Sequence, residues 1–312
     1  MSDDNNNKKS DYLIEFNKKT VEIKSYVLEV NKFIEIIFKG LLKQYNLKNN
    51  TQKSTSIYAI NTDADGVGII ILKDEECLYI QKNGNAVEVV NILMNNIKLD
   101  LLSSTKNILA LHAALVSYDG HSILLPGNSG NGKSLTTLGL LSLGCNYHTD
   151  EVILFDPKPD TAEIIPFVRP LMIKPHGLTS ARKLIGDEID DLIILGESIH
   201  SLPIHKLNDC FNASKSSKPY SLSNLKKPPP IKVIVFPEYN IDFQGEITPL
   251  STGETVIELF KNNVIARNLP DLGTHALTQL AQQVNGLKLQ YGDYKQLPAL
   301  FTEIKTALHT LQ

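Results

Sequence analysis

The spacing of apolar residues changes several times along the chain, and each change marks an element. From Tyr26 to Tyr45, the residues Val27, Val30, Ile34, Ile37, Phe38, Leu41 and Leu42 fall on one stripe, the spacing of an amphipathic helix. Leu47 to Ser56 is polar and reads as a loop. Ser56 to Asn61, Gly68 to Leu72 and Leu78 to Gln81 are β-branched or aromatic runs bounded by turn residues, the pattern of short strands. Val87 to Leu102 returns to helical spacing. Ala110 to Tyr118 and Ser122 to Pro126 flank Asp119-Gly120, a hairpin signal because both central residues of a type I′ turn need positive φ. Ser134 to Leu143 predicts a helix stopped by Gly144, and Glu151 to Phe155 a strand. Asn146 to Asp150 admits a further short strand, which would put Asp150 at its carboxyl end. After a proline-rich break at Lys227 to Pro230 come a strand, Ile231 to Phe236, and helices at Glu254 to Leu259, Thr274 to Val284 and Leu297 to Leu311.

These elements predict an α/β fold, a mixed twisted sheet with flanking helices, in which the hairpin Ala110 to Pro126 supplies an antiparallel part. Residues 1–10 are mostly Asp, Asn and Lys and read as a disordered tail. Residues 11–55 read as a helical N-terminal extension, docked on the main domain or offered to a partner, and residues 56–312 as the main domain. The polar face of the extension is not strongly basic, which disfavours a membrane surface.

Composition narrows the class. The chain has 312 residues, 42% hydrophobic and 21% charged, ordinary values for a soluble globular protein. A formal net charge of -3 and a pI of about 6.2 argue against a general nucleic-acid binder. Cys77, Cys145 and Cys210 lack metal-type spacing and read as reduced thiols. The polar start lacks a signal-peptide pattern, and the best apolar run, Phe33 to Leu42, is short and carries Glu35 and Lys39. The expectation is a cytoplasmic protein without membrane or nucleic-acid partners.

The chemistry concentrates at Gly127-Asn128-Ser129-Gly130-Asn131-Gly132-Lys133-Ser134, which meets the pattern Gly-x4-Gly-Lys-Ser between a predicted strand and a predicted helix. Gly127 and Gly132 let the backbone curl so that its N–H groups converge on phosphate oxygens, and the helix start adds partial positive charge. In this pattern the lysine, Lys133, reaches the β- and γ-phosphates, and the hydroxyl of Ser134 binds Mg²⁺. Asp150-Glu151 are adjacent acids able to serve a bound metal and to accept a proton from an attacking hydroxyl; a solvated turn is the alternative. A lone His on an apolar strand, as His112 is, is more often a satisfied core residue than a catalytic one, although the hairpin would bring it near Pro126.

Taken together, Leu111-His112-Ala113-Ala114-Leu115-Val116, Leu124 to Ser134, His148-Thr149-Asp150-Glu151 and Val168-Arg169-Pro170-Leu171-Met172-Ile173-Lys174 resemble the kinase domain of HPr serine kinase/phosphorylase. They resemble more closely the HPr-kinase-like proteins that lie outside sugar regulation. The segment from Leu287 to Gly292 is similar to the final strand of that group. The resemblance implies an ATP- and Mg²⁺-dependent kinase in which Asp150 is the base, His112 stands beside it and Glu151 assists the metal. It also brings in Arg169 and Lys174, facing the γ-phosphate or the acceptor unless they are surface charges, and it implies a homo-oligomer. The chain departs from true HPr kinases in having Glu151 in place of Asp and Ala113 in place of Gly. It lacks their Arg-Gly-rich capture segment and their N-terminal portion, so HPr is not the implied acceptor. The leading expectation is transfer of a γ-phosphoryl group to a hydroxyl of a protein, peptide or small molecule. A nucleotide-dependent binding module and an ATP hydrolase are the alternatives.

Overall fold

The described chain opens on a hairpin. Strands β1 (Ser10–Phe16) and β2 (Lys19–Ser25) meet across Asn17 and Lys18, whose φ values of 48° and 63° are both left-handed. Such a turn follows the twist of its strands, and Asn tolerates it better than most side chains. Helix α1 (Leu28–Ile37) buries Val30, Ile34 and Ile37. Strand β3 (Leu42–Lys43) returns beside β1, and β4 (Ser56–Thr62) lies parallel to β2. Strands β5 (Gly68–Lys73) and β6 (Glu76–Lys82) form a second hairpin over Asp74 and Glu75, at φ 48° and 77°. Helix α2 (Ala86–Ser103) packs against α1 and the sheet, whose strand order is β3-β1-β2-β4-β5-β6. The computed structural model describes residues 10–43, 56–63, 65–66, 68–103, 108–127, 130–156, 163–186, 189–192, 200–203, 207, 227–265, 269 and 271–310.

This first sheet differs from the helical extension expected over residues 11–55. The helix expected over residues 26–45 occupies only Leu28–Ile37, and strands precede it. The parallel pairing of β2 with β4 places residues on both sides of position 56 in one sheet. The turn between these strands carries no glycine, so the sequence holds no hairpin signal there. The expected tail up to residue 9, and the expected loop up to residue 55, lie outside the described residues.

The second sheet is organised around one long strand, β7 (Leu109–Tyr118). It runs antiparallel to β8 (His121–Pro126), with Tyr118 opposite His121 and Ala113 opposite Pro126. Asp119 and Gly120 join them at φ 47° and 76°. Helix α3 (Lys133–Ser142) follows, then β9 (Asn146–Thr149) and β10 (Val152–Asp156), both antiparallel to β7, and β11 (Glu163–Pro166) beside β10. Strand β12 (Leu171–Ile173), helices α4 (Leu178–Ile185) and α5 (Ile189–Leu192), and strand β13 (His200–Leu202) form a small excursion in which β12 pairs with β13. Strand β14 (Ile231–Tyr239) enters parallel to β8. Then come β15 (Glu246–Leu250), α6 (Thr252–Phe260), β16 (Asn263–Ile265), α7 (Thr274–Gln282), β17 (Asn285–Tyr291) and α8 (Leu297–His309). The main path is β11-β10-β7-β8-β14-β17-β15, with β9 and β16 also on β7. Helix α6 starts at a reciprocal cap in which Ser251 and Glu254 satisfy each other's backbone N–H groups.

Both faces of this sheet are covered. Leu109, Leu111, Ala113 and Leu115 of β7 join one apolar cluster with Leu259 of α6 and Leu277 and Leu280 of α7. The alternate residues Ala110, Ala114 and Val116 join a second cluster with Leu138 of α3 and Ile304 of α8. Burial on both faces is why β7 reads as a nearly continuous apolar run. The second cluster also contains Ile23 and Ile60 of the first sheet, so the two sheets share a core. Phe16 meets Phe167 edge to face at 5.1 Å on that shared boundary. The molecule is a mixed α/β structure of twisted mixed sheets with flanking helices, and no helix among the described residues is long and apolar enough to cross a membrane.

Phe16→Ala removes a 4%-exposed ring from this boundary. It is expected to cost about 3 kcal/mol of stability, as large-to-small changes in aromatic cores do. The urea midpoint should fall in a single transition reporting on both sheets. A midpoint equal to that of the wild type would mean that the two sheets do not share a core.

Candidate functional site

Strand β8 delivers the chain into the glycine-rich loop, and α3 leaves it. Gly130 and Gly132 have φ values of 102° and 84°, and α3 begins at Lys133 without a side-chain cap. The first N–H groups of that helix are therefore left for another acceptor. Gly132 is constrained twice. Its φ disfavours any side chain, and a Cβ there would lie 3.0 Å from Tyr239 Cβ and 3.1 Å from Tyr291 Oη. Asn128 and Ser129, expected in the loop, lie outside the described residues.

Asp150 follows directly on β9, so the acid sits just past the carboxyl end of a strand that runs beside β7. Its carboxylate is reached from four sides. Ser134 Oγ and the Met172 N–H each donate to Oδ2 at 3.2 Å. Arg169 Nε donates to Oδ1 at 3.2 Å and the Tyr147 hydroxyl at 3.5 Å. Lys133 Nζ donates to the Asp150 carbonyl and lies 3.4 Å from His112 Nε2. Glu151 is held by two cations: Arg169 at 2.9 Å and Lys98 of α2. The arginine is brought in by its own segment, because Thr149 donates to the Phe167 carbonyl at 2.6 Å and Tyr147 to the Arg169 carbonyl at 2.9 Å.

Burial and charge set the protonation states. Burial alone raises the Glu151 carboxyl, but Arg169 and then Lys98 outweigh it and hold its pKa at about 2. Burial, then the charge of Lys133, lowers His112 to about 4 against the opposing pull of Glu151 and Asp150. His112 is therefore neutral at neutral pH, and its contact with the lysine ammonium selects the tautomer with a bare Nε2. Burial lowers Lys133, while Asp150 and Glu151 oppose it. For Arg169 burial is the largest single influence, yet Asp150 and Glu151 together raise it. Three cations thus face two carboxylates, a balance that favours an added anion.

A cavity of about 360 Å³ is lined by His112, Gly130, Gly132, Lys133, Ser134, Asp150, Glu151, Arg169 and Lys174, among others; Lys98 and Tyr147 are not in its wall. Arg169 is only 8% exposed and is not a surface charge. Lys174 is exposed at the rim. Gly127 and Asn131 stand on the other side of the loop and line a neighbouring cavity of about 470 Å³. Sequence reasoning missed Lys98, Tyr147, Tyr239 and Tyr294. A lysine on an amphipathic helix reads as a solvated charge, so Lys98 gives no local signal. The tyrosines read as ordinary strand or core aromatics.

A pH dependence follows from His112. A folded pKa below the unfolded value of 6.5 gives stability that is complete above pH 6.5 and lost as pH falls towards 4. Glu151, also depressed, adds a loss that starts near its ordinary value of 4.5 and continues towards 2. His112→Asn is expected to flatten the stability profile between pH 6.5 and 4 by on the order of 2 kcal/mol while leaving the more acidic limb in place. Urea melts across that range check it, and an unchanged profile would show that His112 does not titrate as its surroundings require.

No protein-family model and no curated protein sequence matches the chain. Among solved structures, it is similar to the Hpr(Ser) kinase/phosphatase from Coxiella burnetii, with 13% identity and a TM-score of 0.32. The match covers 64% of this chain and 99% of that one.

Proposed function

We propose that the protein is a Mg²⁺-dependent phosphotransferase that moves the γ-phosphoryl group of ATP to a hydroxyl of a protein, peptide or small molecule. The observation that carries this reading is the meeting of Lys133 and Ser134 of the loop with Asp150 across one cavity. Among the described residues, no cluster of three or more His, Cys, Asp or Glu would hold a metal unaided. The donors fit Mg²⁺ nonetheless, because that ion binds through one or two carboxylates together with substrate phosphates and water. Ser134 donates its proton to Asp150, which leaves its oxygen lone pairs for a cation. Ser134, with the carboxylate of Glu151 behind it, would hold Mg²⁺, which supplies charge neutralisation on the phosphates.

The remaining roles follow from charge. Lys133 releases the Asp150 carbonyl to meet the β- and γ-phosphates, and Arg169 and Lys174 offset charge at the far end. Glu151, held near 2 by Arg169 and Lys98 against its burial, is a poor proton acceptor; Asp150 is the acid given the task of accepting the proton of the attacking hydroxyl. Neutral His112 adds no cation beside Lys133. Transfer is then mostly positioning and electrostatic stabilisation, as phosphoryl transfer generally is.

A second reading, a nucleotide-dependent binding module, has one observation in its favour. Both oxygens of Asp150 already accept two hydrogen bonds each, so a proton acceptor must first shed a partner. Labelled ATP with candidate peptides and small alcohols separates the two. Asp150→Asn is expected to slow transfer about 10²- to 10⁴-fold, the usual worth of a general base, with ATP binding retained. Lys133→Ala is expected to weaken both. Undiminished transfer by Asp150→Asn would remove the base assignment. Tight binding of ATP by the wild type with neither transfer nor hydrolysis would select the binding module.

A further inference from the structure

One end of the same cavity is aromatic. Tyr239, the last residue of β14, is 37% exposed and stacks on Tyr294, with ring centroids 5.7 Å apart and planes 5° from parallel. Tyr291, the last residue of β17, packs edge-on beneath both, at 5.4 Å from Tyr239 and 5.7 Å from Tyr294. Tyr291 is buried, and its hydroxyl shares a 2.9 Å hydrogen bond with Thr136 of α3. Thr136 in turn donates to the Gly132 carbonyl at 3.0 Å. The three rings are therefore fastened to the helix that carries the loop. Tyr239 and Tyr294 line the cavity together with Lys133, Ser134 and Asp150.

The polarity of the loop fixes which end of a nucleotide would meet these rings. Loop amides and the helix start take the α- and β-phosphates, and the lysine reaches the β- and γ-phosphates. His112 and Asp150 cluster around Lys133 and mark the γ end. Tyr239 lies instead against Gly132, where the loop becomes the helix. We propose that Tyr239, backed by Tyr294 and Tyr291, is the platform on which the nucleobase of the bound triphosphate stacks. The inference rests on the nucleotide-binding reading and adds a base subsite to it. Aromatic stacking accepts any base and grips the larger face of a purine more strongly.

Titration calorimetry with Mg-ATP and with Mg-tripolyphosphate, which has the phosphates but no base, tests it on the full chain. The wild type is expected to bind ATP more tightly than tripolyphosphate. Tyr239→Ala is expected to lose about tenfold in ATP affinity with tripolyphosphate affinity unchanged. Tyr239→Phe, which keeps the ring, should restore the ATP affinity and excludes a folding defect as the cause. Equal losses for both ligands in Tyr239→Ala, or a loss for neither, would overturn the platform while leaving the phosphate site standing. A wild type that binds neither ligand would overturn the nucleotide reading itself.

Discussion

The site depends on how two adjacent buried acids are neutralised. Asp150 is 2% exposed, and the Glu151 side chain is 13% exposed. Carboxylates in such surroundings are costly unless they are paired and hydrogen-bonded. Arg169 touches both, which ties the segment after β11 to the end of β9. Lys98 reaches Glu151 from α2, the helix that packs on the first sheet. The first sheet is thus more than an appended unit, since its helix carries one of the cations that keep Glu151 ionised.

The same pairing prepares the cavity for an anion. Lys133, Arg169 and Lys98 outnumber the two carboxylates, and His112 is kept neutral by burial and by Lys133. Fixed charges in a partly water-excluded cleft need no reorganisation when a charged ligand arrives. The carboxylates hold the cations in register, and the helix that begins at Lys133 has no side-chain cap at its start. A phosphate chain suits both features at once.

The loop is packed against aromatic rings on one side. Gly132 lies within close contact of Tyr239 and Tyr291, and Thr136 links Tyr291 back to the Gly132 carbonyl. The ends of β14 and β17 therefore brace the turn from strand to helix, and these two strands are parallel neighbours. Their shared direction places both tyrosines at one edge of the sheet, beside the loop.

Much of the second sheet was legible in the residues. Asp119-Gly120 marked its turn because glycine relieves positive φ, and the Gly-x4-Gly-Lys-Ser pattern marked the strand-to-helix passage because few other chain segments need that much backbone freedom. The first hairpin was not legible, because Asn17 and Lys18 adopt the same left-handed geometry without a glycine to announce it. The local sequence determined that a Gly-x4-Gly-Lys-Ser segment joins a strand to a helix. Only tertiary structure decided that Asp150 faces Ser134, that Arg169 is buried against the acids and that Lys98 arrives from a helix packed on the other sheet. Those contacts join residues far apart in the chain, and no local periodicity encodes the packing that brings them together.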